Sequence, residues 1–362
     1  MFTKRAKETA DACRFCWMCR HICPVGLVTG REGNTPRAKG LLVSMDVRGF
    51  PLEEDGMELM YQCSLCGACA SDCVTGYDPR LYIREGRAQA TASGLLPSPV
   101  RAAVDRALAG EPTAVDRTLK EAIETLPETA EVLVYLGGDA RKEGKSALAL
   151  FKVLKAAGIS FTVLKDEPDS GARLGDLIGY VEEVRQAAKL CLDAIKAAGP
   201  STVVVLDPFC LSFFRHQCAE WELLPETAMV TATAFCAELV KEGRLKLRAL
   251  GGTATFHDPC HLARDLGETD CARELLGAMG IEIKEMFLTG NMSKCCGGPV
   301  LRETYPEITA KMALARWDDA ARAGAETMIT ACPGCARILG ENTPEGYCQE
   351  DIYQLLAEAS EQ

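Results

Sequence analysis

Two runs of four cysteines with identical spacing lie near the N-terminus, and no other feature constrains the chain as strongly. In each run, two residues lie between the first and second cysteines and between the second and third, and three residues lie between the third and fourth. The runs are Cys13, Cys16, Cys19, Cys23 and Cys63, Cys66, Cys69, Cys73. Pro24 follows the first run, whereas Val74 follows the second. Thiols this numerous and this regularly spaced indicate metal ligation.

The spacing predicts two [4Fe-4S] clusters. Three closely spaced thiolates bind three corners of one cubane, and the fourth cysteine of the run binds the neighbouring cluster. The predicted ligand sets are Cys13, Cys16, Cys19, Cys73 for the first cluster and Cys23, Cys63, Cys66, Cys69 for the second. Zinc is the alternative, because two Cys-x2-Cys pairs also supply four thiolates to a tetrahedral site. Two complete runs of equal spacing favour the paired cubanes, whose main use is to pass single electrons.

The composition is that of an ordinary globular protein, with 362 residues, 48% of them hydrophobic, and a formal net charge of −11. This charge argues against nucleic acid as a partner, since affinity for phosphate backbones comes mainly from clustered Lys and Arg. The N-terminus has no apolar stretch after its basic residues, and no segment approaches the roughly eighteen apolar residues of a transmembrane span, so we expect neither a signal peptide nor a span. We expect a cytoplasmic protein whose 19 cysteines stay reduced. Any contact with the cytoplasmic face of a membrane would then be peripheral and made through a partner.

The chain divides into four predicted segments. Residues 1–92 carry the two cysteine runs among short helices, with Thr35 as the N-cap of a helix over 37–47, and residues 93–128 form a helical connector. From residue 129, β-rich runs alternate with helical stretches, which is typical of parallel sheets. We predict an α+β fold, in which a helical dicluster module precedes two α/β half-domains at 129–250 and 251–362. The predicted strands are 131–136, 160–164, 202–206, 253–257, 281–287 and 326–330.

The two half-domains match when laid over each other, which indicates an internal duplication with a pseudo-twofold axis. Residues just beyond the strand ends correspond in order along the two halves. The corresponding pairs are Asp139 with Cys260, Asp169 with Cys295, Ser170 with Cys296, Asp207 with Cys332 and Cys210 with Cys335. Because open parallel sheets bind ligands beyond the carboxyl ends of their strands, we expect a site at this edge.

Five cysteines of the second half-domain are predicted to form a third metal site. They are Cys260, Cys295, Cys296, Cys332 and Cys335. Soft thiolates gathered in this way select iron–sulfur clusters or zinc over hard cations. His257 and His261, on either side of Cys260, are expected to orient ligands or donate hydrogen bonds to cluster sulfurs. The cysteines outside these patterns are expected to be small buried hydrophobes: Cys191, Cys210, Cys218, Cys236, Cys271 and Cys348.

These motifs together resemble the cysteine-rich "CCG" iron–sulfur subunits. The resemblance rests on three segments of the second half-domain: His257-Asp-Pro-Cys-His, Cys295-Cys-Gly and Cys332-Pro-Gly-Cys. A dicluster module with a Thr35-Pro-Arg segment precedes them, as in the D-type subunit of heterodisulfide reductase and in the iron–sulfur subunits of glycolate oxidase and anaerobic glycerol-3-phosphate dehydrogenase. The resemblance covers essentially the whole chain. It implies an electron-transfer subunit with a flavin-containing dehydrogenase as partner, and a quinone, a disulfide or another carrier as acceptor.

The first half-domain departs from the family pattern. Asp139, Asp169, Ser170 and Asp207 stand at four of the five cysteine positions, leaving Cys210 alone. Carboxylates and hydroxyls are poor ligands for iron–sulfur clusters, so we predict no cluster in this half. The family mechanism that splits a heterodisulfide between two intact copies is therefore disfavoured.

Three alternatives remain for the third site: an iron–sulfur cluster, either a cubane or a noncubane one; structural zinc; and a dithiol that holds no metal. A nucleotide or flavin on this chain is not indicated, because no glycine-rich phosphate-binding loop follows a strand.

The preferred function is electron relay, with the direction open because sequence does not fix reduction potentials. The alternative is a disulfide or thiol reductase with a catalytic noncubane cluster at the third site. Clusters with accessible iron also suggest an anaerobic host.

Overall fold

A helical region forms the N-terminal part of the computed structural model, which describes residues 2–110 and 113–360. Its helices are Lys4–Asp11, Met18–Ile22, Pro24–Thr29, Pro36–Val47, Glu54–Tyr61, Ala68–Ser71 and Pro79–Ser93, with a 3-10 turn at Glu32–Asn34. The predicted helix after Thr35 is present. The Thr35 side chain accepts a hydrogen bond from the amide of Ala38, and Pro36 occupies the first turn. Helices Ser98–Leu108 and Arg117–Glu124 then lead to the sheets.

Two four-stranded parallel sheets follow, one in each predicted half-domain. The first contains β1 (Val132–Tyr135), β2 (Phe161–Thr162), β3 (Thr202–Val205) and β4 (Ala228–Thr231), in the order β2-β1-β3-β4. The second contains β5 (Thr253–His257), β6 (Glu282–Ile283), β7 (Thr327–Thr330) and β8 (Cys348–Asp351), in the order β6-β5-β7-β8. The order is the same in both sheets, as a duplication requires. The α+β fold class is confirmed.

All six predicted strands are present, several in shorter form, but the edge strands β4 and β8 were not predicted. In both of them only the last residue is buried, Thr231 in one and Asp351 in the other. Neither strand therefore has the buried apolar run that marks β1, β3 and β7.

Helices cover both sheets and join the two halves. In the first half they are Gly138–Glu143, Lys145–Ala156, Ala172–Ile178, Glu182–Ala198, Pro208–Phe213 and Ala232–Lys241, with a π-helical turn at Phe214–Cys218. In the second they are Cys271–Ala278, Pro299–Thr304, Pro306–Arg322, Pro333–Glu341 and Ile352–Ser360, with a π-helical turn at His261–Asp265 and a 3-10 turn at Gly290–Met292. Helix Lys145–Ala156 packs on Ile352–Ser360 across the halves. One apolar core includes Leu136 of the first half and Phe256 of the second.

The N-terminal helical region packs on both halves. Its buried Met60 and Tyr82 share a core with Leu177 of the first half and Leu301 of the second. Ion pairs add to this contact, since Arg84 pairs with Asp176 at 3.1 Å and Arg80 pairs with Asp265 at 2.7 Å. The cysteine runs are thereby held against the residues that follow the strands.

Candidate metal centres

Four cysteines line one buried cavity in the N-terminal region, and they come from both runs. Cys63, Cys66 and Cys69 of the second run are joined by Cys23 of the first, which is the set predicted for the second cluster. We call this set the inner cysteines. Burial raises the pKa of the Cys23 thiol to about 12 and that of Cys69 well above its usual value. Thiols in this condition become thiolates when a metal displaces their protons.

The backbone follows the same unusual path through both runs. Phe15 and Trp17 have φ of 54° and 69°, and the corresponding Leu65 and Gly67 have φ of 52° and 75°. Left-handed conformations are uncommon for residues with side chains, and they persist only where the surroundings hold them. The repeated path curls each run so that its first three thiols lie close together.

Two buried cations lie beside the inner cysteines, and this observation tests whether the residues fit an anionic cluster. Lys39 lines the same cavity and interacts electrostatically with the thiols of Cys23, Cys63 and Cys69. Arg87 is fully buried and interacts with Cys63. Buried positive charge requires a negative counterpart, and four iron-bound thiolates supply one. The inner cysteines and their surroundings therefore fit a [4Fe-4S] cluster.

The remaining cysteines of the two runs, which we call the outer cysteines, lie closer to solvent. Cys16 is exposed and the other three are partly buried, whereas among the inner cysteines Cys66 is buried and the other three are partly buried. Cys13 and Cys16 interact with Cys19, as expected for three neighbouring ligands. Cys73, the predicted fourth ligand, contacts the hydroxyl of Thr75 at 3.2 Å. The two predicted cluster sites thus differ in exposure, since only the outer set includes an exposed cysteine and only the inner set includes a buried one.

All five cysteines predicted for the third site line a second buried cavity. Their thiols interact in a continuous chain, from Cys260 to Cys295, then Cys296, Cys335 and Cys332. Cys260 and the Cys295-Cys296 pair follow β5 and β6, whereas Cys332 and Cys335 follow β7. The predicted convergence at the carboxyl edge of the sheet is present in the structure. Five adjacent buried thiols fit a soft metal centre.

His257, the last residue of β5, lies beside this site. One imidazole nitrogen lies within 4.8 Å of the thiols of Cys296 and Cys335. Arg316 Nε donates a hydrogen bond to His257 Nδ1 at 3.3 Å, while Nε2 is buried and has no hydrogen-bond partner among the described residues. Burial and the Arg316 charge lower the pKa of His257 to about 3. The ring is therefore neutral, with its proton on Nε2.

His261 also lines the cavity, but its ring is held by neighbours. Its Nδ1 lies 2.7 Å from Asp265 Oδ2, and its ring packs on Phe209. The Asp265 carboxylate raises the pKa of His261. Asp258, by contrast, has a structural role, since its carboxylate accepts hydrogen bonds from the Gly290 amide and from Arg273.

The degenerate first half contributes to the wall of the third site. Asp139 and Asp207 line the same cavity as the five cysteines. Cys210 is hydrogen-bonded by the Ser170 hydroxyl at 3.3 Å, and its own thiol lies 3.8 Å from Asp207 Oδ2. Burial and the neighbouring Asp139 raise the pKa of Asp207 to about 6. Small polar groups thus occupy the place that cysteines take in the second half.

The inner cysteines and the third site are adjacent. Cys63 lines both cavities, and the side chain of Cys66 interacts directly with that of Cys295. Arg264 connects the two regions, donating from Nε to the Cys66 carbonyl at 2.7 Å and from Nη1 to the Ser293 carbonyl at 2.6 Å. The sequence did not indicate this position of Arg264 between the two sites.

The prediction for the other cysteines was correct for four of them and wrong for Cys348. Cys191, Cys210, Cys218 and Cys236 are buried, and Cys271 is partly exposed. Cys348 is exposed because it begins β8 at the edge of the second sheet.

Comparison with protein families identifies two domains in the chain. Residues 9–77 match the 4Fe-4S dicluster domain, and residues 254–340 match the cysteine-rich domain named CCG. These matches support iron–sulfur clusters as the cofactors of the chain. They cover both cysteine runs and all five cysteines of the third site.

Several relatives with assigned functions are iron–sulfur oxidoreductases. The chain is 29% identical to the D-type subunit of the dihydromethanophenazine:CoB–CoM heterodisulfide reductase of Methanosarcina acetivorans, over 96% of this chain and 93% of that protein. It is 27% identical to a probable membrane-anchored ferredoxin of Chromohalobacter salexigens, over 96% of this chain and 59% of that protein. It is 26% identical to the EtfAB:quinone oxidoreductase of Syntrophomonas wolfei, over 68% of this chain and 37% of that protein. The resemblance to such subunits is confirmed, and a redox role follows.

A solved structure shares the fold. The crystal structure of a hypothetical protein from Helicobacter pylori matches 100% of this chain and 73% of its own, with a TM-score of 0.60 at 13% identity. In the part of the chain that the structure describes, none of the helices is both long enough and apolar enough to cross a bilayer.

Proposed function

We propose that this chain, which is similar to iron–sulfur subunits that carry a cysteine-rich domain, is the electron-transfer subunit of a larger oxidoreductase. Its relatives support a redox role, and the arrangement of its cysteines supports a relay. The outer cysteines Cys13, Cys16, Cys19 and Cys73 would hold one [4Fe-4S] cluster, and the inner cysteines Cys23, Cys63, Cys66 and Cys69 a second. When bound, such clusters accept and release single electrons.

The five cysteines Cys260, Cys295, Cys296, Cys332 and Cys335 would hold a third iron–sulfur cluster, either a cubane on four of them or a noncubane cluster on all five. The continuous chain of thiols supports iron–sulfur over zinc, because a structural zinc site needs only four ligands in a closed tetrahedron. The neutral His257 would then donate a hydrogen bond from Nε2 to a ligand sulfur.

The observation that carries the relay is the direct contact between the inner cysteines and the third site. Cys63 belongs to the walls of both cavities, and Cys66 contacts Cys295. At the other end, Cys16 reaches the surface beside the exposed side chains of Phe15 and Trp17. These residues therefore support a path that starts at the surface and ends at the third site.

We infer that the partner at the surface end is a flavin-containing dehydrogenase and that a quinone, a disulfide or another carrier serves as the second reactant. The names of two relatives support a quinone or a disulfide as that reactant, since one is an EtfAB:quinone oxidoreductase and the other a subunit of a heterodisulfide reductase. We place the flavin on the partner, because this chain carries no glycine-rich phosphate-binding loop. Any association with a membrane would be through that partner.

Metal analysis of anaerobically purified protein tests the proposal. Wild-type protein should contain iron and acid-labile sulfide and little zinc, with EPR signals after reduction. Cys63→Ser and Cys296→Ser should each lose part of the iron, whereas Cys271→Ser, outside all three sites, should lose none. Zinc or no metal in the wild-type protein would refute the cluster assignment. Iron present without reduction by the copurified flavoprotein would refute the relay.

A second candidate function is reduction of a disulfide or thiol-linked substrate at the third site. The cavity beside the five thiols extends to Asp207 and Phe209, and the raised pKa of Asp207 makes its carboxyl a proton donor near neutral pH. Turnover of a disulfide with an artificial electron donor, abolished in Asp207→Asn, would favour this function. Absence of turnover together with rapid reduction by the flavoprotein would favour the relay.

A further inference from the structure

Three cationic side chains are less than 2% exposed, and for two of them the described residues offer no carboxylate partner. Arg316 pairs with Asp319 at 2.9 Å, as a buried arginine is expected to do. Lys39 Nζ instead donates to the carbonyl of Asn34 at 2.8 Å, and among the described residues no carboxylate lies within ion-pair distance of it. Arg87 is the second exception.

Within the part of the chain that the structure describes, Arg87 donates to backbone carbonyls alone. Its guanidinium contacts the carbonyls of Met60 at 3.0 Å, Cys63 at 2.7 Å and Asp176 at 2.5 Å. The Asp176 carboxylate pairs with Arg84, at 3.1 Å, and interacts with Arg87 through its charge without a hydrogen bond. Carbonyl oxygens satisfy the N–H groups of Arg87 but do not neutralise its charge.

Both cations lie beside the inner cysteines. Lys39 belongs to the wall of their cavity, and Arg87 belongs to the wall of the third site next to Cys63. Burying an unpaired cation is costly, so a negative charge must lie close by in the working protein. Four thiolates bound to a cluster would supply that charge to Lys39 and would add to the Asp176 carboxylate at Arg87. The cluster becomes more negative when it is reduced.

We propose that Lys39 and Arg87 balance the negative charge at the inner cysteines and raise the reduction potential of the cluster bound there. The proposal rests on the proposed function, because it assumes a cluster on Cys23, Cys63, Cys66 and Cys69. Net charge is one of the properties that set cluster potentials, and a buried cation acts through a medium of low dielectric constant. The outer cysteines, closer to solvent, have no such buried cation among the described residues. Electrons are therefore favoured at the inner end of the dicluster domain, beside the third site.

Substitution of Lys39 in the cluster-loaded protein tests the proposal. Lys39→Met removes the charge, Lys39→Gln removes it while keeping a donor for the Asn34 carbonyl, and Lys39→Arg keeps the charge. Lys4→Met is the matched control, since the side chain of Lys4 is 89% exposed and carries the same charge. The readout is an EPR-monitored redox titration, with Cys16→Ser used to assign the signal of the outer cluster.

We expect Lys39→Met and Lys39→Gln to shift the inner cluster to lower potential and leave the outer one nearly unchanged. At a fixed applied potential the ratio of reduced to oxidised inner cluster should fall by roughly tenfold or more. Lys39→Arg and Lys4→Met should resemble wild type. Loss of inner-cluster iron in the two neutral variants, with iron kept in Lys39→Arg, would also support charge balance.

Equal potentials in Lys39→Met and wild type would overturn the proposal, and so would loss of iron in Lys39→Arg, which would mean that only the shape of lysine matters. Failure of the proposed function gives a different result. In that case the wild-type protein itself contains no iron at the inner cysteines, and no titration signal is seen in any variant.

Discussion

The side chain of Cys66 in the dicluster domain contacts that of Cys295 in the cysteine-rich domain. Each thiol belongs to a different predicted cluster site, so the contact sets how closely the two sites approach. Arg264 holds this contact in place through the carbonyls of Cys66 and Ser293. The interface between the two domains is therefore itself a part of the proposed relay.

Arg264→Met is expected to weaken this interface. It removes charge-assisted hydrogen bonds to three carbonyls, those of Cys66, Asn291 and Ser293, which costs about 3 kcal/mol of unfolding free energy. Denaturant unfolding followed by cluster absorbance measures the loss. Arg248→Met is the control, because Arg248 is 54% exposed and its pair with Glu358 contributes little. Equal losses in the two variants would show that Arg264 does not stabilise the interface.

Gly67→Ala tests the packing of the second cysteine run. A Cβ on Gly67 would lie 2.8 Å from Arg80 Nη1, the atom that pairs with Asp265. Gly94 has a similar φ of 72° but nothing within 4 Å, so Gly94→Ala isolates the backbone cost of about 1 to 2 kcal/mol. Gly67→Ala should lose about 1 kcal/mol more, because it also displaces a charge-assisted hydrogen bond. Thermal unfolding of both variants measures this difference in stability, and equal melting temperatures would contradict the prediction.

The sequence predicted the positions of the thiols better than their surroundings. Cysteine spacing is a local property of the sequence. The three residues between Cys19 and Cys23 are enough to place the fourth thiol beside the other run. The contact between Cys66 and Cys295 depends on how two distant parts of the chain dock. No local pattern encodes that geometry.

The burial of Lys39 could have been predicted from its position in the helix. Pro36, Lys39, Gly40 and Val43 are the buried residues of helix Pro36–Val47, at the spacing of one helical face. A lysine on such a face predicts a buried cation. Arg87 has the same kind of signal, since it lies between the buried Ile83 and Ala90 on helix Pro79–Ser93. The sequence does not show, however, that both lack a carboxylate among the described residues.

Asp351 is expected to make stability depend on pH. Burial raises its pKa to about 6, and its carboxylate accepts hydrogen bonds from Ser146 of the other half and from the Tyr353 amide. Because the folded-state pKa is raised, its favourable contribution is complete below the unfolded value near 4 and is lost as pH rises through 6. Asp351→Asn should therefore gain about 1 kcal/mol relative to wild type between pH 5 and pH 8. Denaturant unfolding of both proteins at pH 5 and pH 8 measures this gain. The same stability difference between variant and wild type at both pH values would refute the prediction.

His257 provides the last prediction, which concerns the third site. Its Nε2–H is buried without a partner among the described residues, and the nearby thiols of Cys296 and Cys335 become acceptors once they are thiolates. A hydrogen bond to a ligand sulfur withdraws negative charge and raises the potential of the centre. His257→Phe should lower that potential, changing the ratio of reduced to oxidised centre by about tenfold, as the loss of one hydrogen bond to a charged group implies.

EPR-monitored titration of the third centre measures the change in His257→Phe. His216→Phe is the matched control, because His216 is exposed and its ring bonds to the Asp265 carbonyl, at 3.0 Å, rather than to a thiol. Arg316→Met should show part of the same effect, since Arg316 fixes the tautomer that places the proton on Nε2. An unchanged potential in His257→Phe would mean that the ring only fills space beside the thiols. A change confined to His257 and absent in Arg316→Met would mean that burial alone selects the tautomer.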